Sequence, residues 1–392
     1  MNSGRRFDRI HLIVLDSVGC GEAIDAIEFG DDGADTLGHI CASRDMRLVN
    51  MRSLGLGEVC APLGCGEPRK GSYCTRLREL SAGKDTLTGH WELAGVVTRE
   101  AFPVYPEGFS DELIAEIKEI SGRGVLCNAP ASGTEVIEEF GEEHMKSGDL
   151  IVYTSADPVL QVAAHEDVVP VEELHRICSE IRKITNEQPF KVARIIARPF
   201  VGAPGSFVRT GNRRDFALDP SGRTVLDELS DKGFEVIAIG KISDIYNGRG
   251  ISRSYHTSSN DEGMERTIAC AEEDFVGLSF TNLVDFDAKF GHRRDVSGYA
   301  DALERFDEQL EHLLGALNER DLLIITADHG NDPTFRGSDH TREYVPLLVF
   351  SPALAGRGKL PDGLFLDVAA TIADNFGIDN PGLGSSLLWR LR

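Results

Sequence analysis

Arg9-Ile-His-Leu-Ile-Val-Leu-Asp16, running on into Ser17-Val-Gly-Cys-Gly21, is the stretch that decides the fold class. A short, unbroken apolar run that ends in an acidic residue and a glycine-rich turn suits a parallel strand buried on both faces, with Asp16 delivered at its carboxyl end. Three further runs have the same form. Phe275–Leu283 leads into Val-Asp285-Phe-Asp287, Leu322–Thr326 into Ala-Asp328-His329-Gly330, and Val345–Phe350 into Ser-Pro. Between the first two of these lie Ala300, Leu303, Phe306, Leu310, Leu313, Leu314 and Leu317, whose three- and four-residue spacing predicts one apolar face on a long helix. Strands alternating with such helices predict an α/β fold, a parallel-rich sheet sandwiched by helices. Ligands of such sheets sit at the carboxyl ends of the strands.

The middle of the chain, 98–212, reads as a separate α/β set. It opens with the proline-rich Phe102-Pro-Val-Tyr-Pro106 and closes on Gly202-Ala-Pro-Gly205 and Gly211-Asn-Arg-Arg214. Helices are predicted near 110–120, 134–146 and 170–187, and strands at 124–128, 149–154 and 190–198. Insertion is tolerated at exposed connections, so 98–212 is expected to be a smaller inserted cap domain and 1–97 with 213–392 the core.

The chain has 392 residues, a length that favours two domains. Its 41 Lys and Arg against 64 Asp and Glu give a net charge of −23, which argues against a nucleic-acid binder and against docking on an anionic membrane. The eight cysteines form no C-x-x-C pair and are read as thiols in a reducing compartment. The run Ile10–Leu15 is too short for a signal-peptide core or a membrane span, so a cytoplasmic location is expected.

The polar residues that follow the apolar strands are Asp16, Asp287 with His292, Asp328 with His329, and His340 in Gly-Ser-Asp-His-Thr. Singly, each has a plainer reading: Asp16 as a turn former, His292 as a helix-start residue, Asp328–Asp332 as a strand-to-loop turn. Together they place three carboxylates and three imidazoles at one sheet edge, more negative charge than a dry pocket holds without cations. Two divalent ions resolve this, since carboxylate plus imidazole suits manganese, zinc or iron. A metal pair is also the arrangement that clamps both oxygens of a phosphoryl transfer.

A nucleophile is offered by Ser81-Ala-Gly-Lys-Asp85-Thr86-Leu-Thr88-Gly-His90-Trp-Glu92 at a predicted helix start, where free N–H groups favour phosphate. Residue chemistry does not choose Thr86 over Thr88, and Asp85 or Thr86 as a plain N-cap remains an equal reading. His11, His39, His90, His165 and His256 have no place among the ligands and are expected to be structural or surface residues. Gly19-Cys-Gly21 lacks the third glycine and the acidic partner of a dinucleotide loop.

In order along the chain, Asp16, Asp85-Thr86-x-Thr-Gly-His-Trp-Glu92, Asp285-Phe-Asp287 with Gly-His292-Arg-Arg-Asp295, Ala327-Asp328-His329-Gly330 and Asp339-His340-Thr341 resemble the alkaline phosphatase superfamily and, within it, the phosphopentomutase family. The resemblance spans essentially the whole chain. It implies an alkaline-phosphatase-like core and an isomerase that interconverts ribose or deoxyribose 1-phosphate and 5-phosphate through a phosphothreonine and a 1,5-bisphosphate. By the same resemblance Thr86 is the nucleophile. Asp287, His292 and His340 hold one metal; Asp16, Asp328 and His329, with the Thr86 oxygen, hold the other. Manganese is the implied ion, with a sugar bisphosphate such as glucose 1,6-bisphosphate as activator and pentose phosphates as partners. Asp157 and Ser155 in Ser-Ala-Asp-Pro are implied sugar contacts, and Arg194, Arg209 and Lys241 implied phosphate holders. Cofactor-independent phosphoglycerate mutase is the nearest alternative, but it is longer and uses serine. A phosphatase of the superfamily would lack the cap. A sulfatase would need Arg where Cys60-Ala-Pro-Leu-Gly64 has Gly64, and a non-catalytic metal-binding scaffold leaves the nucleophile loop unexplained.

Overall fold

A computed structural model describes residues 5–155 and 158–392. The chain divides into two compact units, Met1–Glu100 with Pro220–Arg392, and Ala101–Asp219.

The first unit is built on a nine-stranded sheet. Its main path runs Arg253–Tyr255, Glu235–Ile239, Gly277–Leu283, Arg9–Leu15, Asp321–Thr326, Val345–Phe350, Ser72–Arg78 and Gly358–Lys359, with Gly363–Leu364 pairing beside Ser72–Arg78. The first five strands are mutually parallel, and every residue of Arg9–Leu15, Gly277–Leu283 and Asp321–Thr326 is buried, as central strands covered on both faces must be. The helix Val296–Ala316 buries Tyr299, Ala300, Leu303, Phe306, Leu310, Leu313 and Leu314 and packs on Asn260–Glu272 and Thr36–Ser43. The helix Leu366–Phe376 packs instead on Thr86–Leu93 and Val225–Asp231.

Val345–Phe350 departs from the parallel reading. It pairs antiparallel with Asp321–Thr326, with Ile324 opposite Val349, and Ser72–Arg78 is antiparallel to it in turn. The physical reason lies in the connection: no helix separates Thr326 from Val345, and a parallel neighbour requires a crossover. The chain therefore turns back at the carboxyl end of Asp321–Thr326, and His340 is carried on that return.

Gly19-Cys-Gly21 wraps a carboxylate of the protein itself. Glu343 accepts from Gly21 N (3.2 Å), Thr36 N (2.9 Å), Thr36 Oγ1 (2.6 Å) and Thr341 Oγ1 (2.7 Å). A Cβ at Gly19 would lie 2.2 Å from Glu343 Oε2, so only glycine lets the turn close this tightly.

The second unit carries a six-stranded mixed sheet ordered Val125–Pro130, Leu150–Thr154, Val159–His165, Arg194–Val201 and Val208–Arg209, with Arg214–Ala217 also paired to Arg194–Val201. Alternate residues face opposite cores. Leu150, Val152, Leu160, Val162 and Ile195 join the apolar faces of Asp111–Ser121 and Val171–Ile184, while Ile151, Tyr153, Ala163 and Phe200 meet Val136 and Ile137 of Glu135–Ser147. Because Arg214–Ala217 extends this sheet, the unit runs on to Asp219, beyond the boundary at 212 that the glycine-rich stretch suggests.

Candidate metal centre

Asp16 ends the buried strand Arg9–Leu15, and Asp328 and His329 follow the neighbouring strand Asp321–Thr326, so strand pairing alone brings them together. One ligand atom from each of Asp16, Asp328 and His329 falls within 4.8 Å of the others; the same holds for Asp287, His329 and His340. His329 belongs to both groups. His292 completes the second group, with its Nε2 3.1 Å from Asp287 Oδ2 and 3.2 Å from His340 Nε2.

Asp287 and His292 meet because the backbone departs from an α-helix. Five residues along an α-helix rotate about 140° away from the start, which would separate the pair. Phe286–Gly291 is a π-helix, and His292 N donates to Asp287 O at 3.1 Å, so the wider turn stacks the two side chains.

The cluster is short of protons. Asp16 Oδ1 is buried without a hydrogen-bond partner and lies 3.5 Å from His329 Nε2; Asp328 Oδ2 lies 3.4 Å from the same nitrogen and 3.0 Å from His90 Nδ1. His329 Nδ1 lies 3.0 Å from Gly330 O, and His292 Nδ1 lies 2.7 Å from Ser338 O. A proton on His329 Nδ1 satisfies Gly330 O and leaves its Nε2 with a lone pair facing Asp16 and Asp328, whereas without metal His292 Nε2 donates to Asp287. The companion oxygens are held in place: Ser17 N donates to Asp328 Oδ1 (3.1 Å) and Asn282 Nδ2 to Asp16 Oδ2 (2.8 Å). Asn331 Nδ2 donates to Asp287 Oδ1 (2.7 Å), and Arg294 supports Asn331 from behind (2.8 Å). Acceptors facing acceptors in a buried site are stable only around a cation, so these residues fit divalent metal.

Titration behaviour agrees. Burial, reinforced by the charges of Asp328 and Asp287, pushes Asp16 up to about 8. Burial also drives His329 down to about 4 against the pull of Asp328, which keeps its imidazole neutral as a ligand must be. Burial opposes the charge on Asp287, yet His340 and His292 hold it well below the usual carboxylate range.

Thr86 opens the helix Thr86–Leu93, partly exposed, with Oγ1 3.4 Å from His329 Nε2. Thr88 is fully buried and its hydroxyl is already engaged, within 2.9–3.2 Å of Asp85 N, O and Oδ2 as the second half of a capping box. Asp85 Oδ1 in turn accepts from Leu87 N and Thr88 N. Two of the amides expected to be free for phosphate at this helix start, those of Leu87 and Thr88, are thus taken by Asp85.

His90, set aside in the sequence as structural, is buried directly behind the ligands. Its Nδ1 lies 2.9 Å from Thr86 O and 3.0 Å from Asp328 Oδ2, and its Nε2 lies 3.3 Å from Asn282. The only sequence signal for it was its place one turn after Thr86. His11, by contrast, contacts Ser279 Oγ (2.8 Å) deep in the sheet, and His165 contacts Gly202 O (3.1 Å) in the second unit.

The helix reaches the cluster through Gly89, where an added Cβ would stand 2.1 Å from Asp328 O. Gly89→Ala is expected to cost about 1–3 kcal/mol through forced displacement of the helix, and to weaken metal binding with it. Thermal unfolding and a manganese titration check this; a variant with wild-type values in both would show that the helix does not fix Asp328.

The other implied site residues are spread over both units. Lys241 follows the strand Glu235–Ile239 in the first unit. In the second, Arg194 begins its strand and pairs with Asp215 at 3.4 Å, Arg209 is exposed opposite Phe200, and Ser155 follows Leu150–Thr154. Asp157 lies outside the described residues. All eight cysteines are free. Among the described residues no helix is long and apolar enough to cross a membrane.

Among solved structures, the PH0037 protein from Pyrococcus horikoshii is similar at 14% identity and a TM-score of 0.48, over 95% of this chain and 98% of that one. A phosphoglycerate mutase from Leishmania mexicana is similar at 14% identity and a TM-score of 0.46, over 98% of each chain. The sequence pattern of the metalloenzyme superfamily runs through residues 8–380 and so takes in every strand that delivers a ligand to the cluster; the chain belongs to that superfamily.

Proposed function

We propose that the protein is a phosphopentomutase, an isomerase that interconverts ribose or deoxyribose 1-phosphate and 5-phosphate. The observation that carries this reading is the position of Thr86: a partly exposed hydroxyl 3.4 Å from His329 Nε2, the nitrogen that faces the buried, unpartnered Oδ1 of Asp16. Its neighbour Thr88 is committed to the helix cap, so Thr86 is the hydroxyl free to accept a phosphoryl group.

In this reading the resting enzyme carries phospho-Thr86. The bond from Thr86 Oγ1 to phosphorus breaks as a new one forms to the free hydroxyl of a pentose monophosphate, giving the 1,5-bisphosphate. The other phosphate then returns to Thr86 and releases the isomer. Asp16, Asp328 and His329 hold one divalent cation and Asp287, His292 and His340 the other. Manganese in these positions supplies the positive charge that an acidic chain otherwise lacks near phosphate. His90 holds the carbonyl of Thr86 and so fixes the first turn from which the hydroxyl projects. Ser155 and Asp157 are assigned to the sugar and Arg194, Arg209 and Lys241 to its phosphates. A sugar bisphosphate such as glucose 1,6-bisphosphate primes Thr86. The eight free thiols support a reducing compartment, the cytoplasm, as the location.

Phosphorus NMR tests the reading. Protein with manganese, a trace of glucose 1,6-bisphosphate and ribose 5-phosphate is expected to build up ribose 1-phosphate, with inorganic phosphate appearing far more slowly. Rapid release of inorganic phosphate in its place would make the enzyme a phosphatase.

A further inference from the structure

The segment that leads into Thr86 and the loop that carries His340 are joined by one buried guanidinium. Arg342 lies two residues beyond His340, and its side chain is 2% exposed. Its five N–H donors all have partners. Nη1 donates to Glu79 Oε2 (2.7 Å) and Gly83 O (2.9 Å), Nη2 to Glu79 O (2.8 Å) and Asp25 Oδ2 (2.9 Å), and Nε to the Asp25 carboxylate (3.2 Å). The ring of Phe29 stacks on it with its centroid 4.7 Å from Cζ.

A second tie runs alongside. Arg342 N donates to Asp31 Oδ2 (2.8 Å), which also accepts from Lys84 Nζ (2.9 Å), and Lys84 reaches on to Asp339 (3.2 Å). Residues 79–85 lie between the strand Ser72–Arg78 and the helix Thr86–Leu93, outside both. No ladder of backbone bonds sets their position against the ligand loop. Two backbone carbonyls on a rigid, planar fork do so, and a lysine, a point charge on a flexible stem, cannot span the same acceptors.

We propose that Arg342 is a positioning residue. By clamping the carbonyls of Glu79 and Gly83 to the His340 loop, it sets where the Thr86 hydroxyl stands relative to the imidazoles of His329 and His340. The inference rests on Thr86 as phosphoryl acceptor and adds the device that aims it. A misplacement of about 1 Å at a reacting group costs on the order of 100-fold in rate.

The test uses the full chain with manganese. Arg342→Lys keeps the charge but loses the fork. Arg342→Met combined with Glu79→Gln removes both buried charges, so neither is stranded if the lysine variant folds poorly. Both are expected to lower kcat for ribose 5-phosphate by about 100-fold, with KM and manganese stoichiometry unchanged. Amide hydrogen exchange is expected to quicken in residues 79–88 while the central strands keep their protection. A purely stabilising arginine would instead loosen the whole sheet or leave kcat intact. Wild-type kcat, unchanged exchange at 79–88, or a rate loss that follows lost manganese would each overturn the proposal. Exchange needs no substrate, so it reads the clamp separately. A wild-type protein that fails to isomerise pentose phosphates sinks the mutase reading instead.

Discussion

Thr86→Ala is expected to abolish pentose phosphate isomerisation, with a fall in kcat of at least about 10⁴-fold, because a residue that carries the covalent intermediate has no substitute. Manganese binding should survive, since all six Asp and His ligands remain. The informative partner is Thr88→Ala. It removes a hydroxyl that lies within 2.9–3.2 Å of three atoms of Asp85, so it should cost about 1 kcal/mol of stability through the lost half of the capping box. Turnover in Thr88→Ala should stay within about tenfold of wild type, the order of effect left by a loosened but intact first turn. Steady-state kinetics on both variants, with metal content measured on the same samples, separates the two hydroxyls. If Thr88→Ala is dead and Thr86→Ala is active, the nucleophile has been assigned to the wrong threonine.

Asp16→Asn should have two large effects of opposite sign. Without metal, burial beside Asp328 and Asp287 pushes wild-type Asp16 up to about 8, so near neutral pH the folded protein must take up a proton there, at a cost in stability. Asparagine has the same shape without the charge, and its amide can donate toward the His329 lone pair. The metal-free variant should therefore be more stable than metal-free wild type, by about 1–2 kcal/mol, as when buried ionic groups are replaced by neutral ones of equal volume. With manganese the order should reverse. Wild type gains about 2.7 kcal/mol at a metal concentration 100-fold above Kd. The variant should bind at least 10- to 100-fold more weakly at this position, the loss typical of disturbing even the outer layer of a metal site. Calorimetric unfolding in EDTA and in manganese reads both. A metal-free Asp16→Asn protein that melts below wild type would mean that Asp16 has a structural partner other than a cation.

Much of the candidate centre was legible because it follows from periodicity. Continuous apolar runs ending in Asp16 and Asp328-His329 locate parallel strand ends, and the seven apolar positions between Ala300 and Leu317 locate the long helix. The outer layer was not legible. Asn282, Asn331, Arg294 and Arg342 act through contacts made 37 or more residues away in the chain, and no local spacing marks them; for His90 the place one turn after Thr86 is a signal, but its contacts with Asp328 and Asn282 are not.

From the sequence alone come the alternation of buried strands with helices, the separate α/β set in the middle, and the delivery of acidic and imidazole side chains to strand ends, since each depends only on neighbours along the chain. Tertiary structure decides the rest. A π-turn stacks His292 on Asp287, an antiparallel return brings His340 back, and a capping box occupies Thr88 and leaves Thr86 free. The physical reason is that a side chain's chemistry is set by which of its atoms remain without a partner. That is known only when every competing donor and acceptor has taken its place.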